Sequence, residues 1–163
     1  MSKIWFISDT HFNHLNIIKY CDRPFKSVEE MNHTLVHNWN SVVSDEDTVY
    51  FLGDFSLGNY EKFVNFTKIL KGHKHFIFGN HDHVSKSKIL LAGFESAQYK
   101  LVLKYKDKNF VLMHHPEEVE NGEICIYGHV HNKPVELQSK SFCVCVECIN
   151  YTPIEIEEII ERV

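Results

Sequence analysis

The sequence predicts an α/β fold in which two packed sheets are flanked by helices. Short apolar runs recur along the chain, each bounded by turn residues, as buried strands require. Between the early runs lie two segments whose apolar residues fall at helical spacing. Helical segments cluster early and strands late, a distribution that suits two packed sheets with helices outside. At 163 residues the chain is expected to form one domain, residues 1–163, with a substantial core.

Taken in order, Ile4-Trp5-Phe6-Ile7-Ser8 is the first strand and runs into Asp9-Thr10-His11. Residues 9–25 read as a long loop with one helical turn at 16–20. Ser27 then serves as an N-cap, with Glu30 as its capping-box partner. Val28, Met31, Leu35, Trp39 and Val42 share one face of the helix that follows. Asp45-Glu46-Asp47 is a turn at the start of the strand Val49-Tyr50-Phe51-Leu52, which ends at Gly53-Asp54. Tyr60, Phe63, Val64, Thr67 and Leu70 mark a second amphipathic helix, and Gly72 is placed to end it.

Phe76-Ile77-Phe78 reads as a strand that breaks open at Gly79-Asn80-His81-Asp82. A short helix over 85–91 precedes a hairpin of 101–105 and 109–113, joined around Lys106-Asp107-Lys108 and running into His114. Ile124-Cys125-Ile126-Tyr127 leads to Gly128-His129-Val130-His131. Residues 140–150 read as β structure. The last helix is expected to start with Thr152 as N-cap, Pro153 at N1 and Glu155 at N3.

Five apolar runs therefore end in Asp, His or Asn, usually with Gly alongside. Ligands of open α/β sheets bind beyond the carboxyl ends of the strands, so five such ends would build one pocket. An amide oxygen can ligate a metal, an imidazole can move a proton, and a carboxylate can orient that imidazole. A donor set of imidazole, carboxylate and amide without thiolate suits Mn, Fe, Zn, Ni or Co better than Mg or Ca.

Composition narrows the function classes. The net charge is −5, and Arg23 and Arg162 are the only guanidinium groups. That balance argues against an extended basic surface for nucleic acid. No apolar run approaches the ~20 residues of a membrane span. Met1-Ser2-Lys3 leads into a strand, so no membrane partner and a cytoplasmic location are expected. Five cysteines are an odd number without a secreted framework. Cys143, Cys145 and Cys148 could suggest zinc, but Cys143 and Cys145 share one face of an expected strand and read as small apolar side chains. His33 and His37 read as a solvated helix face, His73-x-His75 as structural, and His83 as solvated.

Asp9-x-His11, Gly53-Asp54, Gly79-Asn80-His81-Asp82, His114 and Gly128-His129-x-His131 resemble, in this order, the five motifs of the calcineurin-like metallophosphoesterases. The narrower resemblance is to small bacterial and phage members, through Asp9-Thr10-His11-Phe12-Asn13-His14, Asn16-Ile17-Ile18 and Arg23-Pro24-Phe25. The resemblance implies a four-layer α/β/β/α sandwich with two mixed sheets. It also implies two divalent transition-metal ions, Mn first among them. One ion would be held by Asp9, His11, Asp54 and His131, the other by Asn80, His114 and His129, with Asp54 bridging. The His-x-Pro pattern of His114-His115-Pro116 selects His114 over His115.

In the same resemblance a bridging hydroxide is the nucleophile and His81 the general acid, oriented by Asp82. The alternative for His81 is to fix Asn80. Asn13, His14 and Arg23 match positions expected to contact substrate; Arg23 either grips a phosphate oxygen or forms a loop-fixing salt bridge. The activity implied is hydrolysis of a small phosphodiester, such as a nucleotide or cyclic nucleotide. A phosphomonoesterase and a non-catalytic protein-interaction scaffold on the same fold are the alternatives. An acidic stretch over 116–122, with Glu117, Glu118 and Glu120, would repel a long polyanion.

Overall fold

Strands buried on both faces need apolar residues without alternation, and β1 (Ile4–Ile7) has Phe6 and Ile7 fully buried. The computed structural model describes residues 1–163. In it β1 pairs in parallel with β2 (Thr48–Phe51), β2 with β3 (His73–Ile77), and β3 with β4 (Ser96–Gln98). A second sheet runs in the order β5 (Lys100–Tyr105), β6 (Lys108–Met113), β7 (Glu123–Tyr127) and β8 (Lys140–Cys143). Its β5–β6 pair is antiparallel and its other pairs are parallel. A short β9 (Ile154–Glu155) closes the first sheet antiparallel to β1, so both sheets are mixed.

Register delivers the motifs to one edge. Ile7 lies opposite Phe51 and Phe51 opposite Phe76, so three strands of the first sheet end together. Met113 lies opposite Tyr127, which does the same for the second sheet. The sheets join at this edge, where Ser8 N–H donates to the Val144 carbonyl at 2.9 Å and Val146 N–H to that of Ser8 at 3.2 Å. One contiguous core of 33 buried residues runs through the molecule, from Phe110, Leu112, Ile124 and Ile126 of the second sheet to Phe51 and Phe76 of the first, which pack on Trp39, Phe63 and Phe94 under the helices. On the other face of the second sheet, Val111, Met113, Cys125, Tyr127, Cys143 and Cys145 form a smaller cluster under Val119, Val130 and Leu137. All five cysteines are free; Cys143 packs as the small apolar side chain expected, whereas Cys145, expected to do the same, also donates its thiol to Asp9 Oδ2.

The helices are α1 (Leu15–Tyr20), α2 (Val28–Val42), α3 (Tyr60–Ile69), α4 (Lys86–Ala92) and α5 (Ile156–Arg162). Ser27 caps α2 by accepting from Glu30 N–H, and Met31, Leu35 and Trp39 are buried beneath it. The Glu30 carboxylate reaches Lys26 N–H, one residue upstream of the usual capping-box partner. Asn59 caps α3 and Ser85 caps α4. Helix α3 ends at Ile69 with Leu70 as its C-cap, and Gly72 instead makes the turn that follows, at φ 93°.

Three expectations need correction. β3 begins at His73, so His73 and His75 lie within the strand; their rings meet Glu95 and Ser96 on and beside β4. β4 itself is only Ser-Ala-Gln, too short and polar to announce a strand. Thr152-Pro153 does not start the last helix: Ile154 and Glu155 pair with Phe6 and Trp5, and α5 starts after Glu155. Burial of Ile154 against the open edge of β1 outweighs the local capping preference. The β region after residue 140 is also interrupted, by a 3-10 turn at Val146–Cys148. No helix is long and apolar enough to cross a membrane.

Candidate metal centre

The strand ends turn sharply. Asp9, His11, Asp54, His129 and His131 have φ of 58°, 47°, 61°, 71° and 54°, in the left-handed region that side-chain-bearing residues seldom adopt. Such strain persists where surrounding contacts impose it, and it gathers at functional sites. Here the first motif runs along the second: Asp9 N–H donates to the Gly53 carbonyl, His11 N–H to that of Asp54 and Phe12 N–H to that of Phe55, at 2.9–3.1 Å. Gly79 explains why glycine accompanies these residues. A Cβ there would collide with the Asp54 carboxylate and lie 2.6 Å from Asp54 N.

Asp9 and Asp54 each have one carboxylate oxygen held by the protein and one left over. Asp9 Oδ2 accepts from Ser8 Oγ at 2.6 Å, His129 N–H at 2.9 Å and Cys145 Sγ at 3.4 Å. Its Oδ1 has no partner and faces His131 Nε2 at 3.7 Å and His11 Nε2 at 3.8 Å. Asp54 Oδ1 accepts from His81 N–H at 2.9 Å. Asp54 Oδ2 has no hydrogen-bond partner and lies 3.5 Å from His11 Nε2 and 3.3 Å from His114 Nε2. Buried polar atoms are normally paired, so orphans pointing at one another need an explanation.

The tautomers sharpen the point. His114 Nδ1 lies 2.7 Å from the Leu52 carbonyl, which can only accept, so Nδ1 carries the proton. In the neutral ring Nε2 is then a lone pair, yet it faces Asp54 Oδ2 and Asn80 Oδ1 at 3.0 Å. Asn80 Oδ1 is also 3.1 Å from His129 Nδ1. Lone pairs converging on lone pairs call for a cation between them.

Without a metal, protons would have to supply that charge. Burial opposes a charge on His114, but Asp54 and Asp9 outweigh it and push the ring up to about 9. Burial likewise opposes a charge on His131, yet Cys21, Glu147 and Asp9 push it up to about 11. Burial would raise the Asp54 carboxyl, but His11 and His114 hold it far below the usual range. An acceptor-rich pocket that stabilises positive charge this strongly fits divalent cations. The donor separations of 3.0–3.8 Å resemble the roughly 3.0–3.5 Å between ligands that each lie ~2.0–2.2 Å from one ion.

The structure thus brings Asp9, His11, Asp54, Asn80, His114, His129 and His131 together. The exposed His81 ring stands at the rim, its centroid 5.7 Å from that of His11. His14 Nδ1 is 3.2 Å from His11 Nδ1. The His115 ring is exposed and tilted, its centroid 4.0 Å from that of His129, and its ligand nitrogen lies within 4.8 Å of those of His114 and His129, on the outer side of the buried His114. His83 and the stacked pair His33 and His37 lie elsewhere on the surface.

Two expected roles change and one is decided between its alternatives. Asp82 does not orient His81: Oδ2 accepts from Asp54 N–H and Gly79 N–H at 2.7 Å each, and Oδ1 from Phe55 N–H at 3.0 Å. It ties together the loops after β2 and β3. Of its two expected roles Arg23 takes the loop-fixing salt bridge and not the phosphate grip, because its guanidinium is buried on Glu147, the Asp9 and Thr10 carbonyls and Met31 Sδ. Asn13 exchanges hydrogen bonds with Asn32 of α2, which occupies its amide oxygen. Sequence reasoning missed Glu147, whose Oε1 meets His131 Nδ1 at 3.1 Å. Two surface concavities of about 480 and 490 Å³ lie away from this cluster, which is recognised by its donors rather than by depth.

The sequence matches the family model for the calcineurin-like phosphoesterase superfamily domain over residues 2–146. The uncharacterized protein MJ1445 of Methanocaldococcus jannaschii is 41% identical, across 100% of this chain and 92% of that protein. The crystal structure of the protein of unknown function AQ665 from Aquifex aeolicus aligns with TM-score 0.81 and 27% identity over 100% of both chains. YfcE, a phosphoesterase from E. coli, shares the fold at TM-score 0.53 and 15% identity, over 93% of this chain and 81% of its own.

Proposed function

We propose that this chain, which belongs to the calcineurin-like phosphoesterase superfamily, is a phosphoester hydrolase with a dinuclear metal centre acting on a small phosphodiester. The observation that carries the proposal is Asp54 Oδ2, a buried oxygen without a hydrogen-bond partner between His11 Nε2 and His114 Nε2. A shared carboxylate oxygen in that position suits two cations. Asp9, His11, Asp54 and His131 would hold one, and Asn80, His114, His129 and Asp54 the other. Mn is the first candidate by the family resemblance, and the mixed imidazole, carboxylate and amide donors suit Fe, Zn, Ni and Co as well. When bound, the ions supply an activated water as nucleophile and charge to offset that of the phosphoryl group.

The chain's own residues do the rest. Asp9 and Asp54 return only two negative charges against two divalent ions, so the centre keeps a net attraction for phosphate. His81 donates a proton to the departing alkoxide, converting it to a neutral alcohol. Its backbone is fixed by Asp54 Oδ1, and its ring stays exposed to a substrate arriving from solvent. Asp82 sets the approach of the loop that carries it.

Withdrawal of Arg23 into the interior leaves no guanidinium at the site, which favours a singly charged diester over a monoester dianion. Glu118 is bound to the amides of Gln138 and Ser139, so the acidic loop over 116–122 is braced beside the second sheet. A duplex, whose binding rests on many Lys and Arg contacts, fits this surface poorly. The test is hydrolysis of bis-p-nitrophenyl phosphate and of small cyclic nucleotides by metal-free protein, before and after Mn addition. Turnover that requires Mn and exceeds that of p-nitrophenyl phosphate is expected. Inactivity on every phosphoester after metal loading would overturn the hydrolase, and preference for monoesters would overturn the substrate class.

A further inference from the structure

We infer that Glu147, clamped by Arg23, is a positioning residue that fixes the His131 ring so that Nε2 is its free metal-binding nitrogen. The inference rests on the metal-centre reading above and extends it to residues outside the donor set. Glu147 sits on the 3-10 turn directly after the segment that pairs with Ser8, so its place is set by the junction of the two sheets. Its side chain is 3% exposed. A single oxygen, Oε1, receives His131 Nδ1 at 3.1 Å, Arg23 Nε at 2.9 Å and Arg23 Nη2 at 2.8 Å.

The consequences follow from the ring's two nitrogens. A carboxylate on Nδ1 keeps the proton there and leaves Nε2 as a lone pair, which points towards the orphaned Asp9 Oδ1 at 3.7 Å. A carboxylate behind a ligating imidazole also raises its basicity. Arg23 links this carboxylate to the other side of the same site. Its Nη1 donates to the Thr10 carbonyl at 2.9 Å and its Nη2 to that of Asp9 at 2.6 Å. One buried ion pair therefore locks the backbone of the first motif to the imidazole of the last. Cys148 Sγ, 3.1 Å from the His131 carbonyl, steadies the backbone of that histidine as well.

Two features argue against a purely structural brace or a third cation site. Buried ion pairs contribute little net stability once desolvation is counted, and Glu147 Oε2 is left buried with no partner. The Cys21 thiol approaches Glu147 and His131 closely enough to suggest a ligand triad. The Arg23 guanidinium, however, already supplies the positive charge on that carboxylate.

The experiment measures Mn binding to metal-free protein by calorimetry, for the wild type, Glu147→Gln and Arg23→Lys. Removing a carboxylate behind a metal-binding histidine typically weakens affinity ~10–100-fold. Glu147→Gln should show that loss at one of two sites and leave the other nearly unchanged. Arg23→Lys, which keeps charge but loses the planar fork, should fall between it and the wild type. Nitrogen NMR of the Zn-loaded wild type reads the same claim without any variant, with the His131 proton on Nδ1 and the metal on Nε2. Unchanged affinity at both sites in folded Glu147→Gln, or a His131 proton on Nε2, overturns the inference. If Glu147→Gln does not fold, the wild-type tautomer decides. A wild type that binds no metal would instead overturn the metal centre itself.

Discussion

Replacing Asp82 by Asn separates bracing from proton transfer. The carboxylate accepts three backbone N–H groups, from Asp54 and Gly79 on one oxygen and from Phe55 on the other. An amide of the same shape can keep its oxygen on the first two, which leaves its NH₂ facing the Phe55 donor. An unsatisfied donor costs ~1–3 kcal/mol, and weakening two charge-assisted bonds to neutral ones adds about 1 kcal/mol. The sum is about 2–4 kcal/mol, equivalent to a Tm lower by roughly 4–16 °C for a chain of this size. The assay is thermal unfolding in chelator, so that metal binding does not enter, followed by kcat at saturating Mn. Because Asp54 N–H is one of the three donors, metal affinity should fall together with Tm. A Tm unchanged within about 1 °C with a large loss of kcat would show that Asp82 acts through His81 after all.

The remaining predictions concern proton transfer and the opposite end of the sheet. His81→Ala should keep the fold and both metals while losing ~10²–10⁴-fold in kcat, the usual effect of a missing general acid. The loss should shrink for p-nitrophenolate esters, and an equal loss for good and poor leaving groups would assign His81 to positioning instead. At the far end, Asp47 accepts from Ser44 N–H, Lys3 N–H and Trp5 Nε1. Burial pushes its carboxyl up, but these hydrogen bonds outweigh burial and hold it below the usual range. With a folded value below the unfolded ~3.9, its contribution is present above that pH and is lost as pH falls through the folded value. Asp47→Asn should lower Tm at pH 7 and flatten the decline of Tm below about pH 4; an identical decline in both proteins would remove Asp47 from the acid response.

What could be read in advance was local. Ile4–Ile7 and Phe76-Ile77 announce strands by their own apolar character, and the residues that leave them are adjacent in sequence. The clustering of these Asp, His and Asn residues was legible because each motif lies within three or four residues of a strand end. Contacts between distant segments were not. Arg23 and Glu147 are 124 positions apart, and nothing in either segment marks the pair. Asp82 stands next to His81 in sequence, which invites an acid–base dyad, but the turn at Gly79 directs the carboxylate to the amides of the β2 loop. Thr152-Pro153 carries a strong helix-start pattern that the unfilled edge of β1 overrides by taking Ile154 as a strand.

Anomalous diffraction from Mn-loaded crystals of the wild type tests whether one carboxylate bridges two cations. Two anomalous peaks per chain are predicted, within the ~3.5–4 Å of two-metal hydrolases. Both should touch Asp54, with Asp9, His11 and His131 around one and Asn80, His114 and His129 around the other. A single isolated peak, two peaks that do not share Asp54, or an ion held by the cysteines would contradict it.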